Sequence, residues 1–273
     1  MNINLKNLPP AGVCFSVAVL AIVFLWALFP GVFAAGALEQ DVNSGSLPAF
    51  SNGHIFGTDA LGRDVFKLMI AGARSAIIGP LVIALGSLVI GLAAGSIAGF
   101  RGGIIDWIIS RYTDLTLALP SMLLAIVAAG VIGGGYWVSV AVLIVLYSPY
   151  DIRLVRSAVM AEKSKNYIEA AFVLRISTAR ILIKHIFPNI AVIVFVNFFL
   201  NIAYALVAMS ALSFLGVGVS PAAADWGRQL SDARAIIFEN PAASLSVGLA
   251  IIITSISINV AGSYITERRT LDS

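Results

Sequence analysis

Long apolar stretches, separated by short charged segments, dominate the pattern along the chain. A membrane-spanning helix needs about 20 mostly apolar residues. Six stretches meet this requirement: about 11–35, about 75–100, two between Asp114 and Asp151, about 188–209 and about 242–264. The run Gly133-Gly134-Gly135 marks a turn between the third and the fourth. The pattern therefore predicts an all-α, polytopic membrane protein with about six transmembrane helices, formed by a single domain over residues 1–273.

Composition supports a membrane protein over a soluble one. Of the 273 residues, 59% are hydrophobic and 11% are charged, whereas a soluble domain carries roughly 25% charged residues. The first apolar stretch is longer than the core of a signal peptide, which has about 7–15 residues. We therefore expect it to be a retained helix.

The basic residues predict the orientation in the membrane. With the N-terminus inside, twelve Lys and Arg residues fall in cytoplasmic segments and five in outer ones, as the positive-inside rule requires. Both termini are then cytoplasmic. Residues 36–74 and 212–241 form outer loops, and residues 151–187 form a cytoplasmic loop. Because the basic residues lie in short loops between apolar stretches, we expect membrane lipid and no nucleic acid as a partner.

The sequence lacks the residue patterns that ion-coupled transport, catalysis and metal binding usually require. No Asp, Glu, Lys or Arg lies well inside a predicted span, which argues against a secondary carrier acting alone. The chain has no G-x-x-x-x-G-K-[ST], H-E-x-x-H or G-x-S-x-G motif. Only His54 and His185 are available as imidazole ligands. We therefore expect neither catalytic residues nor a metal site, and a membrane-embedded enzyme is disfavoured.

Two patterns inside the spans bear on packing and transport. Gly91, Gly95 and Gly99 share one helical face, as in close helix packing. Asn197 and Asn201 share a face in the fifth span, and Tyr204 follows them. These polar side chains either line a substrate path or form hydrogen bonds between helices, and both interpretations stay open.

The cytoplasmic segment 151–187 has the features of a docking element. Residues 167–174 favour a helix, in which Ala170 and Ala171 give a small surface for close packing. Ser177 or Thr178 then caps a second, amphipathic helix, and Pro188 suits the first turn of the fifth span. Two helices with a defined break indicate a surface for a cytoplasmic partner.

This segment resembles the EAA loop of permease subunits of ATP-binding-cassette (ABC) importers. The pattern is E-A-A, three residues, then G, followed by a helix that ends in a hydrophobic residue and proline. Glu169, Ala170 and Ala171 match, Tyr167 is typical, and Pro188 falls at the expected distance. Arg175 stands in place of the glycine. If the turn is kept, Arg175 has a positive φ, which costs roughly 1 kcal/mol or more. Otherwise the turn is rebuilt, and both alternatives stay open.

Three further motifs narrow the resemblance to the dipeptide, oligopeptide and nickel permeases. They are GTDALGRDVF at 57–66, YDIRLVR at 150–156, and LSFLGVGVSP at 212–221 followed by Asp225-Trp226-Gly227. The likeness covers nearly everything after His54, and it is closest to the second permease of the pair in such systems.

The resemblance implies a fold, partners and a cargo. The fold is that of type I ABC importer permeases in the bacterial inner membrane. The chain forms half of a translocation path with a second permease, as a heterodimer. Two cytoplasmic ATPase subunits bind ATP and Mg, so this chain binds no cofactor itself, and a substrate-binding protein delivers the cargo. A peptide is the first expectation for the cargo, and nickel or a metal chelate is the alternative.

The resemblance also assigns roles to residues. A coupling helix contacts an ATPase through Tyr167, Glu169, Ala170, Ala171, Phe172, Leu174 and Arg175. We expect Asp59, Arg63 and Asp64 to form a local ion-pair network on the outer side, within a short helix or hairpin. Gly57, Trp226 and Arg228 belong to the same outer segments, and Arg228 is a candidate contact for the binding protein.

Overall fold

Helices build the part of the chain that the computed structural model describes, residues 10–51, 53–220 and 222–271. Lys6, Arg268 and Arg269 are three of the twelve basic residues counted above as cytoplasmic, and Pro221 ends the motif at 212–221. Lys6, Pro221 and the side chains of Arg268 and Arg269 lie outside the described part. The first helices are α1 (Ala11–Leu28), α2 (Pro30–Phe33), α3 (Val65–Arg101), α4 (Gly103–Leu117), α5 (Ser121–Ile132) and α6 (Tyr136–Lys163). The remaining helices are α7 (Asn166–Val173), α8 (Thr178–Ile181), α9 (Phe187–Phe214), α10 (Trp226–Ala233) and α11 (Pro241–Leu271).

Five of these helices are long and apolar enough to cross a membrane: α1, α3, α6, α11 and the helix formed by α8 and α9 together. The third predicted span differs from the expectation. Its helix α5 has 12 residues and a length of about 18 Å, which is too short for a hydrocarbon core of about 30 Å. It pairs with α4 across a bend of 89°, a geometry that fits either a broken span or a re-entrant loop, so the described residues contain five or six spans. Proline at 120, directly before α5, explains the break.

Two span boundaries lie elsewhere than the sequence pattern placed them. Helix α6 continues without a break past Asp151 to Lys163. The expectation that no acidic residue lies within a span is therefore wrong. Helix α9 does not begin afresh at Pro188, because a π-helical turn at Leu182–Ile186 joins it to α8. Such a turn accommodates a proline that cannot donate the usual i→i−4 hydrogen bond.

The glycine stripe of α3 packs directly against α6, as predicted. A Cβ atom on Gly91 would lie 2.3 Å from the Cβ of Asp151. At Gly95 and Gly99 it would lie 2.7 Å from backbone carbonyl oxygens of α6. These approaches leave no room for a side chain, so the glycines set the distance between the two helices.

Helix α3 connects two distant regions of the molecule. With 37 residues, it is about 55 Å long. The loop Gly57–Asp64 precedes its first residue and packs against α10. Phe100, near its last residue, contacts Phe172 of α7 with ring centroids 5.8 Å apart. The predicted outer and cytoplasmic segments therefore lie at opposite ends of one rigid helix.

Candidate functional site

Helix α7 is anchored to the bundle by its inner face. Ile168 and Ala171 are buried in a cluster with apolar residues of α3, α6, α8 and α9. This corrects one expectation, since Ala171 packs inside the chain and is not part of a surface for a partner. Ala170 is exposed, as expected. The small size of Ala171 lets α7 lie close to the spanning helices.

Tyr167 fixes the start of α7 to two spanning helices. Its hydroxyl donates a hydrogen bond to Glu162 of α6, and Asn189 of α9 donates one to the same hydroxyl at 2.8 Å. Lys165 forms an ion pair with Glu162 at 2.8 Å. Burial, and next the Glu162 carboxylate, raise the pKa of Tyr167. The phenol therefore stays protonated and keeps donating. A movement of α7 is thus transmitted to both α6 and α9.

Arg175 ends α7 in a left-handed conformation. Its φ is 55°, in the region that the glycine of the family's motif would occupy without strain. The backbone N–H of Arg175 donates to the carbonyl of Phe172 at 2.9 Å, and that of Ile176 donates to the carbonyl of Ala171 at 3.1 Å. These are the two hydrogen bonds of a Schellman motif. The turn is therefore kept although the glycine is absent.

We predict that Arg175→Gly strengthens this turn. The left-handed conformation costs a non-glycine residue about 1–2 kcal/mol, and the greater freedom of glycine in the unfolded chain offsets part of the gain. Amide hydrogen exchange at residues 175 and 176 should slow by about twofold to fivefold. Arg180→Gly serves as the control, because Arg180 lies inside α8. Glycine weakens a helix by about 1 kcal/mol, so this substitution should speed local amide exchange. Unchanged exchange in Arg175→Gly would show that the turn carries no strain.

The outer face of α7 is an exposed apolar surface, which we call the coupling surface and define as Glu169, Ala170, Phe172, Val173 and Leu174. Val173 and Leu174 are 82% and 74% exposed. Among the described residues, none forms a hydrogen bond or ion pair with the Glu169 carboxylate. A short helix that is clamped on one side and apolar on the other is suited to entering a groove of a partner protein.

A polar cavity of about 460 Å³ opens between α5, α6 and α9. It brings together the three residues that the sequence suggested for a path, Asn197, Asn201 and Tyr204, and adds Ser121, Tyr147 and Tyr150. Tyr150 and Tyr204 are more than half exposed, so the cavity opens on the surface of the single chain. The two interpretations of the asparagines are compatible, because they also form hydrogen bonds between helices.

Asp151 lies behind this cavity. Asn201 donates to its two carboxylate oxygens at 2.9 and 3.1 Å, and Asn197 donates to Oδ1 as well. Sequence reasoning missed this residue, since it ended the fourth span at the first charge. The buried positions that follow, Ile152, Val155, Val159 and Glu162, have helical spacing. That spacing is the signal that would have extended the helix and placed Asp151 inside it.

The GTDALGRD loop, residues 57–64, closes as a hairpin in which Asp59 and Arg63 form the expected ion pair, whereas Asp64 contacts His54 and does not join that pair. Asp59 and Arg63 are paired at 2.6 Å with side chains 8% and 7% exposed. Arg63 also approaches Asp232 of α10 at 3.6 Å. Asp64 accepts from the backbone N–H of Lys67 at 2.8 Å, which caps α3, and contacts His54 at 2.6 Å.

Of the other outer residues of the prediction, Trp226 holds α10 against α3, Arg228 forms an ion pair within α10, and Gly57 packs against the preceding loop. Trp226 is buried, and its indole N–H donates to the carbonyl of Met69 at 2.8 Å. Arg228 pairs with Asp232 at 3.0 Å. Gly57 has a φ of 71°, and a Cβ there would lie 2.1 Å from the carbonyl oxygen of Leu47. These contacts make the outer segments a rigid platform.

Residues 91–270 match the binding-protein-dependent transport system inner membrane component family. The dipeptide transport system permease protein of Alkalihalophilus pseudofirmus is 32% identical over 91% of this chain and 82% of its own length. The oligopeptide transport system permease protein of Bacillus subtilis is 33% identical with the same coverage. A glutathione transport system permease protein of Pectobacterium atrosepticum is 33% identical over 80% of this chain and 72% of its own.

Among solved structures, an inward-facing form of the MetNI methionine ABC transporter is similar in fold. The TM-score is 0.61 at 18% identity, and the match covers 74% of this chain and 96% of that chain. At this identity the likeness concerns the fold alone. It agrees with the helical architecture that the motifs implied.

Proposed function

Because this chain belongs to the family of inner membrane components of binding-protein-dependent transport systems, we propose that it is one of two permeases of an ATP-driven peptide importer. Its apolar helices make it a multi-pass membrane protein. The observation that carries the proposal is the coupling surface, an exposed apolar helix face rigidly attached to the spanning helices. The EAA pattern of the sequence lies on this same helix.

Coupling to ATP hydrolysis takes place through α7. Two cytoplasmic ATPase subunits bind ATP and Mg, and one of them receives the coupling surface in a groove. When the ATPases close, they move α7. The contacts of Tyr167 with Glu162 and Asn189 pass that movement to α6 and α9. This is a rigid-body, two-state coupling. Both termini of the chain lie in the cytoplasm, on the side of the ATPases.

A second permease covers the open side of the polar cavity. The wall of the cavity contains tyrosine hydroxyls and asparagine amides. Contact of these groups with lipid is unfavourable, because exposing polar groups to hydrocarbon costs free energy. The path for the cargo therefore runs between the two permeases, along Asn197, Asn201 and Tyr204. The 57–64 loop and α10 form the outer mouth, where a substrate-binding protein docks.

The cargo is a peptide. This class is supported by relatives at 32–33% identity, which are dipeptide, oligopeptide and glutathione permeases. Those relatives are similar to this chain over most of its length. The part of the cavity wall formed by amide and hydroxyl groups suits the N–H and C=O groups of a peptide.

Co-purification tests the assembly. The full chain, tagged and extracted from its native membrane in mild detergent, should retain an ATPase and a second permease at comparable amounts. ATP hydrolysis should be found in the complex and not in the isolated chain. Isolation of the chain as a lone protein under several mild detergents would contradict the proposal.

A further inference from the structure

The carboxylate of Asp151 is buried without a counter-ion. Asp151 is 1% exposed, and none of the described residues forms an ion pair with its carboxylate. The neighbouring arginines on α6 are engaged elsewhere, Arg153 with Asp114 at 2.8 Å and Arg156 with Asp106 at 2.7 Å. A buried charge is ordinarily paired or bound to a cation. Asp151 therefore lacks the cation that would stabilise its ionised form, and a cation that enters the neighbouring cavity would supply it.

Asn197 and Asn201 lie between Asp151 and the cavity, because both donate to its carboxylate and both line the cavity. A carboxylate accepts hydrogen bonds and cannot donate them, so Asn197 and Asn201 must turn their NH₂ groups toward it. The amide oxygens of the two residues then remain available as acceptors. The cavity therefore combines a carboxyl group behind its wall with two amide groups among its lining residues.

We infer that this polar cavity binds the positively charged amino group of the cargo on its way through the membrane. An ammonium group has three donors and no acceptor, and it supplies the counter-charge that Asp151 lacks. Tyr150 and Tyr204 also line this cavity, and an aromatic ring attracts a cation that lies over its face. The inference rests on the proposed peptide cargo, whose free amino terminus is the group that would bind.

Charge-selective cysteine labelling tests the cavity itself. Ser121 lines the cavity, and Ser121→Cys introduces a thiol of nearly the same size. Cys14 is the only cysteine of the sequence and is replaced by serine. Labelling rates are measured on the detergent-solubilised complex with a cationic and with an anionic methanethiosulfonate reagent. The rate of each reagent is divided by the rate at which the same reagent reacts with a small free thiol, and the rate ratio is the corrected cationic rate over the corrected anionic rate. We expect the cationic reagent to react at least about tenfold faster.

Asp151→Asn should bring this rate ratio to within about twofold of one, because the amide keeps the shape and removes the charge. Asp114→Asn is the matched control: its carboxylate is half exposed and paired with Arg153, so the ratio should not change. A ratio near one with Asp151 present would overturn the inference, even if Asp151→Asn failed to fold. A high ratio that persists in Asp151→Asn would overturn it as well.

Protection by a peptide identifies the bound group. Trialanine should slow labelling of Ser121→Cys, and N-acetyl-trialanine, which lacks the ammonium group, should slow it at least about tenfold less effectively. Equal protection by both peptides would contradict the inference. The labelling ratio can also be measured on the isolated chain, so a complex without an ATPase would refute the proposed function while the charge preference of the cavity is judged separately.

Discussion

Replacing Val173 and Leu174 together by Asp is expected to abolish ATP-driven uptake. Both side chains are largely exposed in the single chain, so the substitution leaves the bundle folded. In the complex they enter an apolar groove, where burying two charges costs several kcal/mol. Truncating a hot-spot residue at the centre of an interface costs about 2 kcal/mol or more, and every 1.4 kcal/mol is a factor of about ten. Binding of the ATPase should weaken by more than about 100-fold.

The matched control keeps the apolar character of the same two positions. Val173→Ile with Leu174→Met changes the shape slightly and adds no charge, so uptake and ATPase retention should stay near the unmodified level. Both variants are compared by the amount of ATPase that co-purifies and by the initial rate of uptake. Full ATPase retention in the Asp variant would show that α7 docks through another face, or does not dock.

Asp59→Asn is expected to destabilise the outer platform by about 3 kcal/mol. Removing one partner of a buried ion pair costs about 3–5 kcal/mol, since the other charge stays buried. The contact of Arg63 with Asp232, at 3.6 Å, places the expected loss at the lower end. The asparagine keeps the oxygen that accepts from the backbone N–H groups of Leu61 and Arg63, both at 2.9 Å. The variant therefore isolates the effect of charge.

The free energy of unfolding in detergent measures this loss. Asp114→Asn removes the same charge from an exposed ion pair with Arg153, whose side chains are about half exposed. Exposed pairs contribute about 0–1 kcal/mol. The two substitutions should differ by about 2 kcal/mol or more. Equal losses would mean that the Asp59–Arg63 pair, although buried, does not hold the platform together.

The sequence predicted those parts whose cause is local. The helix at 167–174 and the glycine turn at 133–135 follow from residue types over a few positions, and the structure contains both. The sequence left open whether the turn at Arg175 is kept, and the structure shows that it is. The Asp59–Arg63 pair has i,i+4 spacing, and such a pattern can be recognised in the sequence. The Gly91, Gly95 and Gly99 face was predicted because its spacing matches one turn of helix.

The remaining features depend on contacts that are distant in sequence. Ala171 faces the bundle and Ala170 faces outward, because Phe100 and Ile181 lie on one side of α7 only. Asp151 packs closely against α3 because Gly91, 60 residues earlier, leaves room for it. The orientation of α7 and this close approach do not follow from local composition or periodicity. The helical spacing after Asp151 and the proline before α5, in contrast, are local signals that can be recognised in the sequence.

Uptake by the reconstituted complex tests the central claim most directly. The complex purified through a tag on this chain is placed in liposomes with its substrate-binding protein, and labelled dipeptide and nickel are offered in parallel. The account predicts that dipeptide accumulates only when ATP and Mg are present on the side of the coupling surface, and that nickel does not accumulate. Dipeptide uptake independent of ATP, or ATP-driven uptake of nickel alone, would contradict it.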